Sequence, residues 1–193
     1  MQADLPGYGP DAEANRAEAR KLMEKHGYGP DNHLKLKVSA RNIPSHRDPG
    51  VLLIDALSHI YIDAELEPVD TAAWFPKIAR KDYAIGPNIT CGAVDDPDQN
   101  FYENYACGSA RNFTQYCNKD LEPLFDQQSQ ETDVEKRRKL VWDIDHRLQA
   151  DIARPIIYHH KAATCWWPYL HGYSPMVNSN YNSPRLETVW MDK

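Results

Sequence analysis

Leu34, Leu36, Val38 and Ala40 alternate with Lys35, Lys37 and Ser39. A period of two puts the apolar set on one face of a strand and the polar set on the other. The stretch is therefore predicted to be a half-buried strand. The same alternation returns over Ile62–Val69. Between the two, Val51, Leu52, Ile54, Ala56, Leu57 and Ile60 form the apolar side of an amphipathic helix. Asp48 is its predicted N-cap and Pro49 its first residue. Asp70 then caps a helix carrying Trp74, Ile78 and Ala79, and Tyr83–Cys91 is predicted as a third strand. Strands alternating with helices constrain the chain to an α/β layer structure.

The rest of the chain fits around that frame. Ala12–His26 is rich in Ala, Glu, Arg and Lys and ends at Gly27, a natural residue to follow a helix. Asp96-Pro97-Asp98 stops the third strand, because Pro97 has no amide hydrogen for a ladder. Asn100, Phe101, Tyr102 and Tyr105 then open a short aromatic-rich helix. Asp120–Gln130 is predicted helical, with Leu121, Leu124 and Phe125 on one side. Thr132-Asp133-Val134-Glu135 reads as a capping box. It opens the longest helix, whose stripe is Leu140, Val141, Ile144, Leu148 and Ile152. Pro155 ends that helix, and Ile156-Ile157-Tyr158 begins a fourth strand. The segment from Gly172 to Lys193 is loop-rich.

The chain has 193 residues and a net charge of −6. The length is enough for one ordinary core. The acidic balance argues against nucleic acid as a partner, since no basic stripe interleaved with aromatics is present. Lys35 and Lys37, and the run Lys136-Arg137-Arg138-Lys139, read as solvated faces. No apolar run approaches the ~20 residues of a membrane span, so no membrane insertion is expected. The polar start Met1-Gln2-Ala3-Asp4 does not read as a signal peptide.

Cys107 and Cys117 flank Gly108-Ser109-Ala110-Arg111-Asn112-Phe113-Thr114, a loop composition. A disulfide there would add about 2–3 kcal/mol by restricting the unfolded chain. Such bonds persist in oxidising compartments; the alternative is two free thiols. Cys91 and Cys165 are either buried strand cysteines or a second pair. No Cys-x-x-Cys or His-x-x-x-His spacing favours zinc. Asp95, Asp96, Asp98 and Asn100 lack the glycine and terminal glutamate of a calcium loop. His159 and His160 adjoin on a predicted strand and so face opposite ways, and no metal or cofactor is expected. Cys165-Trp166-Trp167 reads as packing, with Trp167 also able to line a cleft. No Gly-x-Ser-x-Gly, phosphate loop or His-Glu-x-x-His occurs.

The segment from Cys91 to Cys117, with Asp96-Pro97-Asp98 and the following cysteine, resembles part of a known family. That family is the peptide, dipeptide and nickel class (family 5) of extracytoplasmic solute-binding proteins, the ligand-capture subunits of ABC importers. Three flanking phrases strengthen the resemblance. Ala19–Tyr28 looks like the helix before the second lobe's first strand. Trp167–Tyr173 looks like the point where the chain turns back across the hinge, and Tyr181–Trp190 like the ending that packs on the other lobe. The resemblance implies a mixed β-sheet flanked by helices, the second lobe of a periplasmic-binding-protein-like (type II) fold. Residues 1–171 would form this C-terminal lobe and 172–193 a tail returning towards the first lobe. On this reading the chain is a fragment of a two-lobed protein, and alone it binds solute weakly or not at all. It also implies a periplasmic location, a small solute or peptide as ligand, and ABC permease subunits and the protein's own first lobe as partners.

In that family the ligand lies between the lobes. The matching positions are Thr90, Cys91, Gly92, Ala93, Val94, Asp95 and Asp96 at the end of the third strand, and the loop Asn42–Asp48 after the first. Both follow strand ends, where backbone groups are free to face a cleft. The aspartate that holds a peptide's amino terminus in peptide-binding members corresponds to Ala93, which cannot pair with an ammonium. The tryptophan that often opens the segment corresponds to Thr90. Asp95 or Asp96 is the candidate replacement anchor; the alternative is that both cap the next turn. The carboxylate-binding arginine of dipeptide binders corresponds to Ser45, with Arg47 and Arg41 close by. Two other classes stay open. One is a sensory or adaptor domain of the same fold, and the other a hydrolase using Asp95 and Asp96, although neighbours on one turn rarely face each other.

Overall fold

The computed structural model describes residues 11–90, 96–158, 163–175 and 186–192. Helix α1 (Ala12–Lys25) is capped by Asp11, whose carboxylate accepts from the Ala14 amide, and is followed by Gly27 at φ +86°. Strand β1 (Leu34–Arg41) pairs in parallel with strand β2 (Ile62–Val69), from Leu34 opposite Ile62 to Arg41 opposite Val69. Helix α2 (Pro44–Ser58) crosses from one strand to the other, as a parallel pair requires. It lies close over the sheet because Gly50 has no side chain. A β-carbon built there would sit 3.5 Å from Leu66, 3.6 Å from Ala40 and 3.7 Å from Val38.

Helix α2 starts four residues before the predicted cap at Asp48. Pro44 occupies its first turn, where a missing amide hydrogen costs nothing, and Pro49 lies inside the helix. The amides of His46 and Arg47 both bond the Ile43 carbonyl, so one turn is wound before Pro49 is reached. Helix α3 (Thr71–Ala79) starts where expected, with Asp70 accepting from the Ala72 amide.

Tyr83–Cys91 does not form the predicted strand among the described residues. Ile85 makes one parallel bridge to Val38, through a 2.9 Å bond from the Ser39 amide, and the flanking residues join no ladder. Ile156–Tyr158 likewise forms no strand. The α/β class holds, with parallel and antiparallel pairing in separate small sheets. The second sheet joins strand β3 (Leu170–His171) to strand β4 (Trp190–Met191), antiparallel, after a 3-10 turn at Leu186–Thr188.

Helix α4 (Pro97–Asn104) opens on Asp96, whose carboxylate accepts from the Asp98 amide. Helix α5 (Glu122–Gln130) and helix α6 (Val134–Ala150) pack beside it. The cap of α6 is Asp133, bonding the Glu135 and Lys136 amides; Thr132 of the predicted box is displaced because the aspartate one residue later takes both donors. Helix α6 ends at Ala150, before Pro155. Ile152 follows in a left-handed turn at φ +52° and is 69% exposed, so it leaves the apolar stripe.

Two apolar clusters result. The larger joins Phe101, Tyr105, Leu121, Phe125, Ile144, Leu148 and Ala153, with Phe101 and Phe125 stacked at 5.3 Å between centroids. The smaller joins Val69, Trp74 and Ile78, against which Tyr83 and Phe113 pack. Cys107 and Cys117 form a disulfide, and the loop it closes reaches across to the smaller cluster. The Tyr83 hydroxyl donates to the Phe113 carbonyl and the Lys81 ammonium to the Asn112 carbonyl, both at 2.6 Å. Within the loop, the buried Asn112 amide bonds the Ala106 and Tyr116 carbonyls.

Candidate functional site

A groove of about 860 Å³ opens between the β1–α2 layer and the α4–α6 helices. Its walls come from α2, the run after α3, α4, the disulfide loop and the chain after α6. The run after α3 joins β1 through the bridge at Ile85, and its residues from Tyr83 to Thr90 line the groove.

Three of the residues singled out from the sequence meet here: Ser45, Thr90 and Asp96 line the groove. The Ser45 hydroxyl lies 3.1 Å from His46 Nδ1. His46 is buried, edge-on to Trp74, and burial followed by the Arg41 charge holds its pKa below the ordinary histidine value. Arg47 is not a lining residue: it is half-buried and pairs with Asp48 at 3.2 Å. Arg41 bonds the Thr71 hydroxyl at 3.1 Å and lies over the Phe75 ring. Cys91, Gly92, Ala93, Val94 and Asp95 lie outside the described residues, as do His159 and His160.

Asp96 does several things at once. One oxygen caps α4, and both oxygens receive the Arg137 guanidinium, at 2.8 and 3.0 Å. That pairing holds the carboxyl pKa below the usual range, with burial acting in the opposite direction. Arg137 therefore leaves the solvated face assigned to the run Lys136–Lys139. It is tied further to Gln128 Oε1, and the buried Gln128 amide bonds Asp98 and the Phe125 carbonyl. The sequence sign was an arginine three positions into a capped helix, which reaches back towards the preceding helix ends.

Arg154 is a groove residue that the sequence reading missed. The left-handed turn at Ile152 reverses the chain, seats Ala153 in the larger cluster and delivers Arg154 to Asn104. Its guanidinium donates to Asn104 Oδ1 at 2.7 Å. Asn104 is buried, and its amide nitrogen donates to Asn100 Oδ1 at 2.7 Å, so its carbonyl oxygen is the end that meets Arg154. One sequence signal was present: a single charge inside the otherwise apolar run Ile152-Ala153-Arg154-Pro155-Ile156-Ile157. Among the described residues, no group of three or more His, Cys, Asp or Glu side chains is arranged to hold a metal.

The aromatic segment from Cys165 to Tyr173 is not among the described residues that line the groove. Cys165 is exposed and not buried in a strand; Trp166 is exposed too, and Trp167, 70% exposed, stacks on Tyr169 at 6.2 Å. The triplet is not buried in a core, but both tryptophans pack on tyrosines, Trp166 on Tyr173 at 5.0 Å between centroids and Trp167 on Tyr169. His171 stacks on Trp190 at 4.4 Å across the β3–β4 pair. Among the described residues, no helix is long and apolar enough to cross a membrane.

By sequence, no family model and no curated protein matches the chain. By structure, several solved proteins do. OppA of Haemophilus influenzae, solved in complex with RPPGFSPFR, superposes with a TM-score of 0.80 at 20% identity over 97% of this chain and 37% of its own. OppA of Burkholderia pseudomallei gives 0.79 at 18% identity over 97% and 37%. The murein tripeptide binding protein MppA of Escherichia coli gives 0.76 at 18% identity over 95% and 36%. The chain thus spans a little over a third of the length of these proteins and has the fold of that part of them. The resemblance drawn from the Cys91–Cys117 segment is met at the level of fold.

Proposed function

We propose that this chain forms one face of the ligand cleft of an extracytoplasmic solute-binding protein, and that its solute is a peptide. The observation that carries the reading is the meeting of Ser45, from the first turn of α2, with Thr90 and Asp96, from the run before α4, on a single groove. These come from the two segments that the family resemblance assigns to ligand. The shared fold with OppA and MppA supports the class of ligand. A groove of this size, mainly apolar with a few polar groups, suits side chains and backbone of a short peptide.

On this proposal residues 1–171 act as the second lobe and 172–193 as a tail towards a first lobe. Closure of the two lobes on the solute precedes delivery to an ABC permease in the cell envelope, and the solute leaves unchanged. A periplasmic setting agrees with the Cys107–Cys117 disulfide, since such bonds persist where the medium is oxidising.

The test is a thermal-shift screen of the whole two-lobed protein against peptides of two to nine residues, alongside sugars, opines and metal chelates. The proposal predicts that peptides raise the unfolding midpoint and are recovered intact. Stabilisation only by a sugar, opine or chelate would replace the solute, and cleavage of the added peptide would overturn binding without turnover.

A further inference from the structure

Among the described residues two carboxylates line the groove, Asp96 and Glu103, and each has its own arginine. Asp96 is paired with Arg137 and Glu103 with Arg111, both at 2.8 Å. Arg154 lines the same groove, yet no carboxylate among the described residues forms an ion pair with it. A guanidinium has five N–H donors in a fixed fork. The hydrogen bond seen here is the one to Asn104, a neutral oxygen. Burial lowers the pKa of Arg154, as it does for a cation removed from water without an adjacent counter-charge. Leaving a desolvated cation unpaired is costly, and the cost is removed when an anion arrives.

We infer that Arg154, positioned by Asn104 and Asn100, is the anchor for a carboxylate group of the ligand that the groove takes. The inference rests on the solute-binding reading and adds the chemistry of the ligand's charged end. A carboxylate is favoured over a phosphate because one uncompensated guanidinium matches one negative charge, and its fork bonds both carboxylate oxygens. Ser45, the position that the family resemblance assigned to this task, has no charge, and Arg47 lies outside the groove.

The experiment offers the whole two-lobed protein a tryptic digest of casein, as free acids and after methyl esterification, with thermal-shift titration giving apparent affinities. The wild-type protein is expected to prefer the free acids by on the order of tenfold, the scale of a charge-assisted bidentate pair. Arg154→Gln is expected to bring that ratio close to one. Should Arg154→Gln not fold by circular dichroism, Arg154→Lys is used: a reduced ratio supports the inference, because the fork is lost. An unchanged ratio in the variant that folds, or equal affinities in the wild type, overturns the inference and leaves the peptide reading standing. If neither pool binds but acetate, succinate or citrate does, and Arg154→Gln abolishes it, the peptide reading fails and the carboxylate site stands. If none of these binds, both fail.

Discussion

Asp96 shows how one side chain serves fold and site together. It caps α4, holds Arg137 through both oxygens and borders the groove. Asp96→Ala removes cap and ion pair together. A cap is worth about 1 kcal/mol, and the partly solvated ion pair adds no more than about another 1 kcal/mol. Urea unfolding at neutral pH should therefore show a loss of about 2 kcal/mol. Asp96→Asn keeps an acceptor for the cap and should lose about half of that. The pH dependence has a definite sign. The carboxyl pKa is lower in the folded chain, so its contribution is complete above the unfolded value near 3.9 and is lost as pH falls through the folded value. Between pH 5 and pH 2 the urea midpoint of the wild type should fall more than that of Asp96→Asn; parallel curves would refute the assignment.

Among the elements, α2 carries the most testable detail. Gly50 sits inside a helix, where glycine costs roughly 0.5–1 kcal/mol relative to alanine. The added methyl would meet Leu66, Ala40 and Val38 at ordinary contact distance, 3.5–3.7 Å. Gly50→Ala is thus expected to stabilise the protein by about that amount in a urea titration, and destabilisation would mean that α2 lies closer to the sheet than described. Legibility in the sequence followed the range of the interaction. Asp11 and Asp70 cap their helices as read, because a cap needs only amides two or three residues away. The two alternating strands were legible because their period is local, and their residues do pair. Tyr83–Cys91 and Ile156–Tyr158 have strand composition, but a strand also needs a distant partner, which composition does not specify. The start of α2 was misplaced because Pro49 looks like a first residue, and the same argument holds for Pro44. Arg137 and Arg154 were missed for the related reason that their partners lie 41 and 50 residues away.

At the scale of the molecule, the two apolar clusters are joined by the loop that Cys107 and Cys117 close. Opening it frees the short bonds from Tyr83 and Lys81 as well as restoring unfolded-chain entropy. Cys107→Ser with Cys117→Ser is expected to cost about 2–4 kcal/mol, read by urea unfolding, and dithiothreitol should reproduce the loss in the wild type but not in the double variant. Insensitivity of the wild type to reductant would contradict the structural role of the bridge. The α/β class was legible from the chain, and the groove was half legible. The family resemblance named Ser45, Thr90 and Asp96, which line it, while Asn104 and Arg154 emerged only once helices far apart in sequence were placed together. The central claim is that this groove holds a peptide. Native mass spectrometry of the protein purified from its own source, before and after denaturation, tests it most directly. The account predicts a mass excess in the folded protein that is released on denaturation and fragments as a peptide with a free carboxyl end. A released sugar or chelate, or a protein that carries nothing and takes up no peptide when a peptide pool is added, would contradict it.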